Sequence, residues 1–146
     1  MLDKDDRAKF QKVFPQYVSR LSPAGLERLL SSCTVVNFHP GYNVFRDRMP
    51  TDSLHFVLEG QADIFLEQGE TPVPLGKVNA GQLLGEISVL SRTLVASSTV
   101  QAASRLTTLR LQHQPLESLL WDEDVGPTLL ELLSDTLASR LQPLPA

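Results

Sequence analysis

The sequence predicts a mainly β fold, a double-stranded β-helix (jelly roll) with helices at both ends. Three observations carry this expectation. Between residues 34 and 112, short β-branched and aromatic runs alternate with glycine turns, the pattern of a sandwich or barrel of many short strands. Leucines at helical spacing lie before and after that block. The chain has 146 residues, a length that fits one domain with one core, and it contains no internal repeat. The expected division is therefore a single domain over 1–146, with N-terminal helices in 1–33, the jelly roll in 34–112 and C-terminal helices in 115–141.

Each element has a local reason. Residues 5–14 and 22–32 carry helix patterns. In the second, Ser22 suits the cap, Pro23 suits the first helical position, and Leu26, Leu29 and Leu30 share a face. The β-branched and aromatic run Thr34–Phe38 predicts a strand. His39-Pro40-Gly41 predicts a turn, Tyr42–Phe45 a second strand, and Met49–Ser53 a loop. Leu54–Leu58 and Gln61–Leu66 are the clearest strands, joined at Glu59-Gly60, where glycine takes a positive φ at low cost. Turns follow at Gln68–Glu70 and Asn79–Gly81, around a short strand near Val73–Leu75. Thr99–Ala102 and Arg105–Leu111 complete the strands. From Pro115, Leu116, Leu119 and Leu120 mark a short helix, which Asp124-Val125-Gly126-Pro127 breaks. Leu129–Leu141 is then a strong helix, with Leu130, Leu133, Leu137 and Leu141 on one stripe and Leu129 and Leu132 widening it. The closing Pro-Leu-Pro-Ala cannot extend it.

Composition narrows the function classes. The formal net charge is −4 and no long basic run exists, which argues against nucleic-acid binding, since that affinity comes chiefly from Lys and Arg neutralising phosphates. A single cysteine, Cys33, forms no internal disulfide and holds no metal alone; beside Leu29 and Leu30 it reads as a buried structural thiol. The charged N-terminus lacks a signal peptide's apolar core, and no apolar run approaches the roughly 20 residues of a membrane span. A cytoplasmic protein is expected. The histidines, His39, His55 and His113, lack metal-site spacing, and no Ser-His-Asp or Cys-His arrangement is evident. No catalytic residue, no resident cofactor and no metal are expected, and a metal-dependent cupin enzyme is a distant third reading.

The ordered motifs carry a resemblance. They are Leu21-Ser22-Pro23 with Leu26–Leu30, then Phe38–Arg46, then Asp52–Gly60, then Leu84-Gly85-Glu86-Ile87-Ser88-Val89-Leu90. This set resembles the cyclic nucleotide-binding domain superfamily, which includes catabolite-activator-type sensor domains and cyclic-AMP-dependent kinase regulatory subunits. The resemblance implies a phosphate-binding cassette over 83–99. There a short helix after Gly85 would turn its free N–H groups to the ligand's phosphate, with Ile87 in its first turn. Glu86 would accept from the ribose hydroxyl, and Ser97 and Ser98 would be the small phosphate-facing pair. It implies cyclic AMP or cyclic GMP as ligand. Counting back from Thr99–Ala102 puts Ala96 where the family has its phosphate-pairing arginine. Arg92, four residues earlier, is the candidate replacement, although a solvated loop charge is the blander account of it. A second departure, Arg46–Met49 in place of a glycine turn, is expected to concern only a loop.

Two functions follow. The first is a stand-alone regulatory sensor that binds a cyclic nucleotide or related ligand and signals through its C-terminal helices. No DNA-binding domain is expected after Leu141, so the output would go to a protein partner in trans. The second is a ligand-independent interaction or dimerisation module with a degenerate pocket, favoured by Ala96. A homodimer through Leu130, Leu133, Leu137 and Leu141 would serve either; the alternative for this stripe is packing on its own domain.

Overall fold

The structure, a computed structural model, describes residues 2–67, 69–85 and 93–140. Among the described residues, eight strands form two four-stranded antiparallel sheets. They are β1 (Thr34–Phe38), β2 (Asn43–Phe45), β3 (Ser53–Glu59), β4 (Gln61–Leu66), β5 (Val73–Asn79), β6 (Leu83–Leu84), β7 (Thr99–Ala102) and β8 (Leu106–Gln112). One sheet has the order β1-β8-β3-β6 and the other β2-β7-β4-β5, so the expected jelly roll is the architecture present. The described helices are α1 (Lys4–Val13), α2 (Pro15–Val18), α3 (Pro23–Ser31), α4 (His113–Leu120) and α5 (Val125–Arg140).

Strand period 2 sorts the side chains into two cores. Leu54, Phe56 and Leu58 of β3, with Leu109 and Leu111 of β8, meet the helices through Phe10, Phe14, Leu30, Leu116 and Leu133. The intervening Val57 and Leu106 turn inward against Phe45, Ile64, Val78 and Val100 of the other sheet. β3 is consequently buried at every position from Ser53 to Leu58. Phe10 and Phe14, one helical turn apart, both set their rings edge-on to Phe56 at 5.7 and 5.6 Å, which docks α1 on β3. Gly60 takes φ +92° because a Cβ there would strike the Arg105 carbonyl.

Local chemistry sets the helix ends. The Ser22 hydroxyl accepts from Gly25 N–H at 3.0 Å, with Pro23 at the first position. Cys33 is buried just past α3; its thiol donates to the Leu29 carbonyl, and burial pushes its pKa up to about 12.

Several boundaries differ from expectation. The segment Val125-Gly126-Pro127 is no break: α5 starts at Val125. A proline in the first turn sacrifices only an N–H that has no helical partner, and Asp122 Oδ1 accepts from Asp124 and Val125 N–H at 2.9 and 3.0 Å. The strand expected near Val73–Leu75 runs on to Asn79, because β4 pairs along it from Gln61↔Asn79 to Leu66↔Val73. Ser53 belongs to β3, not to the preceding loop. The leucine stripe also turns. Val125, Leu129, Leu132 and Leu133 are buried, whereas Leu130 is 50% exposed. Leu133 is therefore core in this chain and not part of a dimer seam; Leu141 lies outside the described residues. The leucines surround α5, and packing against α3 and α4 selects the face that periodicity alone leaves open. No helix among the described residues is long and apolar enough to cross a membrane.

The Phe14→Ala variant is expected to lose about 3–5 kcal/mol of unfolding free energy in a urea titration, since it empties a fully buried ring position between α1 and β3.

Candidate functional site

The site begins where β6 ends. Leu84 pairs with His55 of β3, and at Gly85 the chain turns with φ +91°. A Cβ at Gly85 would lie 2.5 Å from the Ser53 carbonyl oxygen and 3.0 Å from the Phe45 ring. Only glycine fits both the dihedral and the gap. Glu86, Ile87 and Arg92, all candidate ligand contacts, lie outside the described residues.

The opposite wall is residues 94–98. Its backbone is laced to the loop after β2: Thr51 N–H donates to Leu94 O, Ala96 N–H to Met49 O, and Arg48 N–H to Ala96 O, each at 2.9 Å. Arg48 and Leu94 hold φ of 68° and 52°, a cost of roughly 1–2 kcal/mol each that these bonds offset. This corrects the expectation that the Arg46–Met49 departure concerns only a loop, because that loop fixes the backbone of Ala96. Below it, Thr99 Oγ1 accepts from Asp47 N–H at 2.9 Å and donates to Glu67 at 2.7 Å. This bond, aided by Arg46, holds the Glu67 carboxyl below the usual range.

Ala96 is 6% exposed and belongs to the inter-sheet core with Phe45, Ile64 and Val100. The same residue borders a cavity of about 740 Å³, which Gly85, Ser97 and Ser98 also line. Three of the expected site residues, Gly85, Ser97 and Ser98, thus come together. The far wall is one that sequence reasoning missed: Leu132, Asp135, Thr136 and Ser139 of α5, with Gln16 and Tyr17. The Tyr17 hydroxyl donates to Asp135 Oδ2 at 2.8 Å, and burial followed by that carboxylate raises the Tyr17 pKa. Arg20 forms an ion pair with Glu131 one turn earlier on α5. These two links tie the N-terminal segment to α5 along that wall. The polar Asp135-Thr136 pair beside the leucines was the available signal for this wall.

The chemistry is that of a binding pocket. Its volume suits a small ligand, its walls are mixed, and a few polar groups converge on it. Among the described lining residues, Lys77 and Asp135 carry charge, one of each sign.

His55 stands behind the inner wall. It is 5% exposed, its ring lies edge-on to Phe45 at 5.3 Å, and its Nδ1 is 2.7 Å from Thr108 Oγ1. Burial first, then the Arg110 charge, pushes its pKa down to about 4, against a smaller opposing pull from Asp52. Asp52 accepts from Ser53 and Arg110, which hold its carboxyl below the usual range. Among the described residues, no group of three His, Cys, Asp or Glu side chains is placed to hold a metal.

Comparison with known proteins gives a family model, the cyclic nucleotide-binding domain, that matches residues 35–122. No curated protein sequence matches significantly. Among solved structures, a cyclic nucleotide-binding domain from Methylobacillus flagellatus is similar at 20% identity and TM-score 0.78, over 90% of this chain and 78% of that one. The sensor domain of the transcriptional regulator DNR from Pseudomonas aeruginosa is similar at 25% identity and TM-score 0.74, over 92% of this chain and 90% of that one. A third is the regulatory subunit of a cAMP-independent protein kinase A from Trypanosoma brucei, as a triple variant bound to cAMP in its A site. It shows 19% identity and TM-score 0.74, over 95% of this chain and 47% of that one. Elsewhere, too, this chain covers less than two thirds of the matched protein, from 45% to 59% of its length.

The buried His55 generates a pH dependence. Its folded pKa lies below its unfolded value of 6.5, so the unfolded chain takes the proton first. Its contribution is intact above pH 6.5 and declines as pH falls toward 4. The expected loss is on the order of 3 kcal/mol, measured by urea unfolding across that window. His55→Leu should flatten the slope; an unchanged slope would show that other groups produce it.

Proposed function

The chain belongs to the cyclic nucleotide-binding domain family, and from that premise we propose that it is a regulatory module that binds a small ligand and does not catalyse a reaction. The ligand occupies the 740 Å³ cavity, and the position of α5 is the output, read by a protein partner. One observation supports this above all others: cassette residues Gly85, Ser97 and Ser98 and α5 residues Leu132, Asp135 and Thr136 line the same space. An occupant touches both, and it shifts α5 by as much as its affinity differs between the two positions of that helix.

Cyclic AMP or cyclic GMP fits the family premise, but Ala96 leaves the phosphate without its arginine. Truncating one partner of a buried hydrogen-bonded charge pair costs about 2–5 kcal/mol, or roughly 30-fold to a few thousand-fold in affinity. The Trypanosoma brucei relative offers a parallel, since it is described as cAMP-independent and its cAMP-bound variant carries a substitution that introduces arginine. The burial of Ala96 among apolar side chains favours a second reading, a ligand-independent interaction module. In either case, among the described residues of the expected stripe, the exposed Leu130 and half-buried Leu137 of α5 remain for a homodimer contact.

Thermal unfolding tests whether the cavity keeps the shape of a nucleotide site. With millimolar cyclic AMP or cyclic GMP, the wild-type midpoint should move little. Ala96→Arg should bind at least ~30-fold more tightly, raising its midpoint by several degrees when ligand stands near 100 times the dissociation constant. Adding Glu86→Ala to that variant should reduce the shift. A folded Ala96→Arg protein that ignores both nucleotides would favour the second reading.

A further inference from the structure

Trp121 is the only tryptophan in the chain, and it is 89% exposed. It sits at the corner between α4 and α5, outside the cavity lining. That corner is tied down by hydrogen bonds. Trp121 N–H donates to the Ser118 carbonyl, and Gly126 N–H donates to the Asp122 carbonyl at 2.8 Å. The Asp122 carboxylate accepts from Asp124 and Val125 N–H, and Arg28 Nε donates to its other oxygen at 2.7 Å. Asp124 accepts from the Ser22 hydroxyl. A Cβ on Gly126 would strike the Leu120 carbonyl oxygen, so α4 and α5 meet at close range. The backbone that carries the indole is fixed by these bonds, so it loses little entropy when the indole is used as an anchor.

The charges around the indole indicate its partner. Glu117 lies one helical turn before Trp121, on the same side of α4, and Glu123 follows two residues later; both are exposed. Neither meets a basic side chain among the described residues, whereas Asp122 and Asp124 are already satisfied by Arg28 and Ser22. An exposed indole with an exposed carboxylate one helical turn before it and another two residues after it offers the groups that suit a guanidinium or ammonium, which stacks on an aromatic ring and pairs with acids. A second copy of this chain suits it poorly, because a two-fold contact over Trp121 sets like charges against each other.

We propose that the Trp121 corner, with Glu117 and Glu123, docks a basic protein segment rich in arginine or lysine. The test is selection of random displayed peptides on the wild-type chain, with depletion on Trp121→Ala, an exposed substitution that leaves the fold intact. Enriched peptides should be basic. They should change Trp121 fluorescence directly, and they should bind about tenfold more weakly to Glu117→Gln/Glu123→Gln. The proposal is overturned if no Trp121-dependent peptide emerges, if the enriched peptides lack basic residues, or if removing both carboxylates leaves affinity unchanged. It is equally overturned by a wild-type homodimer that Trp121→Ala dissolves, since a second copy would then occupy the corner.

Discussion

Burial of β3 on both faces is the constraint on which the other elements depend. One face carries Leu54, Phe56 and Leu58 into the helical core, and the other carries Ser53, His55 and Val57 toward the second sheet. The strand therefore couples α1, through Phe56, to the inner wall of the site, through His55 and Phe45. It also sets the closest approach in the site, because the Ser53 carbonyl lies where a Cβ at position 85 would go. A change that moves β3 moves the turn at Gly85 as well.

The cavity has a glycine that no other residue can replace on one wall and two serines on the other. Ala96 adds a methyl group to the apolar cluster beside it, and on the proposed reading that methyl stands where the family places a guanidinium. The Tyr17–Asp135 hydrogen bond and the Arg20–Glu131 pair hold α5 over this space. Both links are partly exposed, so each is modest in energy.

Much of this was legible in the sequence, and the failures have physical causes. β1, β3 and β4 were readable because β-branched and aromatic runs end at turn residues such as Pro40-Gly41 and Gly60. The start of α5 was not, because Gly126-Pro127 is a breaker inside a helix and harmless in its first turn. The buried face of α5 was ambiguous because leucine recurs at 129, 130, 132 and 133, and only tertiary packing chooses among them. Counting back from Thr99–Ala102 is what sets Ala96 at the family's arginine position, and that assignment remains an expectation. That Ala96 is buried could not be read from the sequence, and neither could the wall that α5 contributes, since Tyr17 and Asp135 meet across 118 residues of chain.

The most direct test of the account is hydrogen exchange on the Ala96→Arg variant with and without saturating cyclic AMP. The account predicts altered protection in two separate stretches, the cassette walls at Leu83–Gly85 and Ala96–Val100, and α5 from Val125 to Ser139. Slowed exchange in the walls with α5 unchanged would contradict it, because the ligand would then occupy the cavity without being read by the helix that closes it.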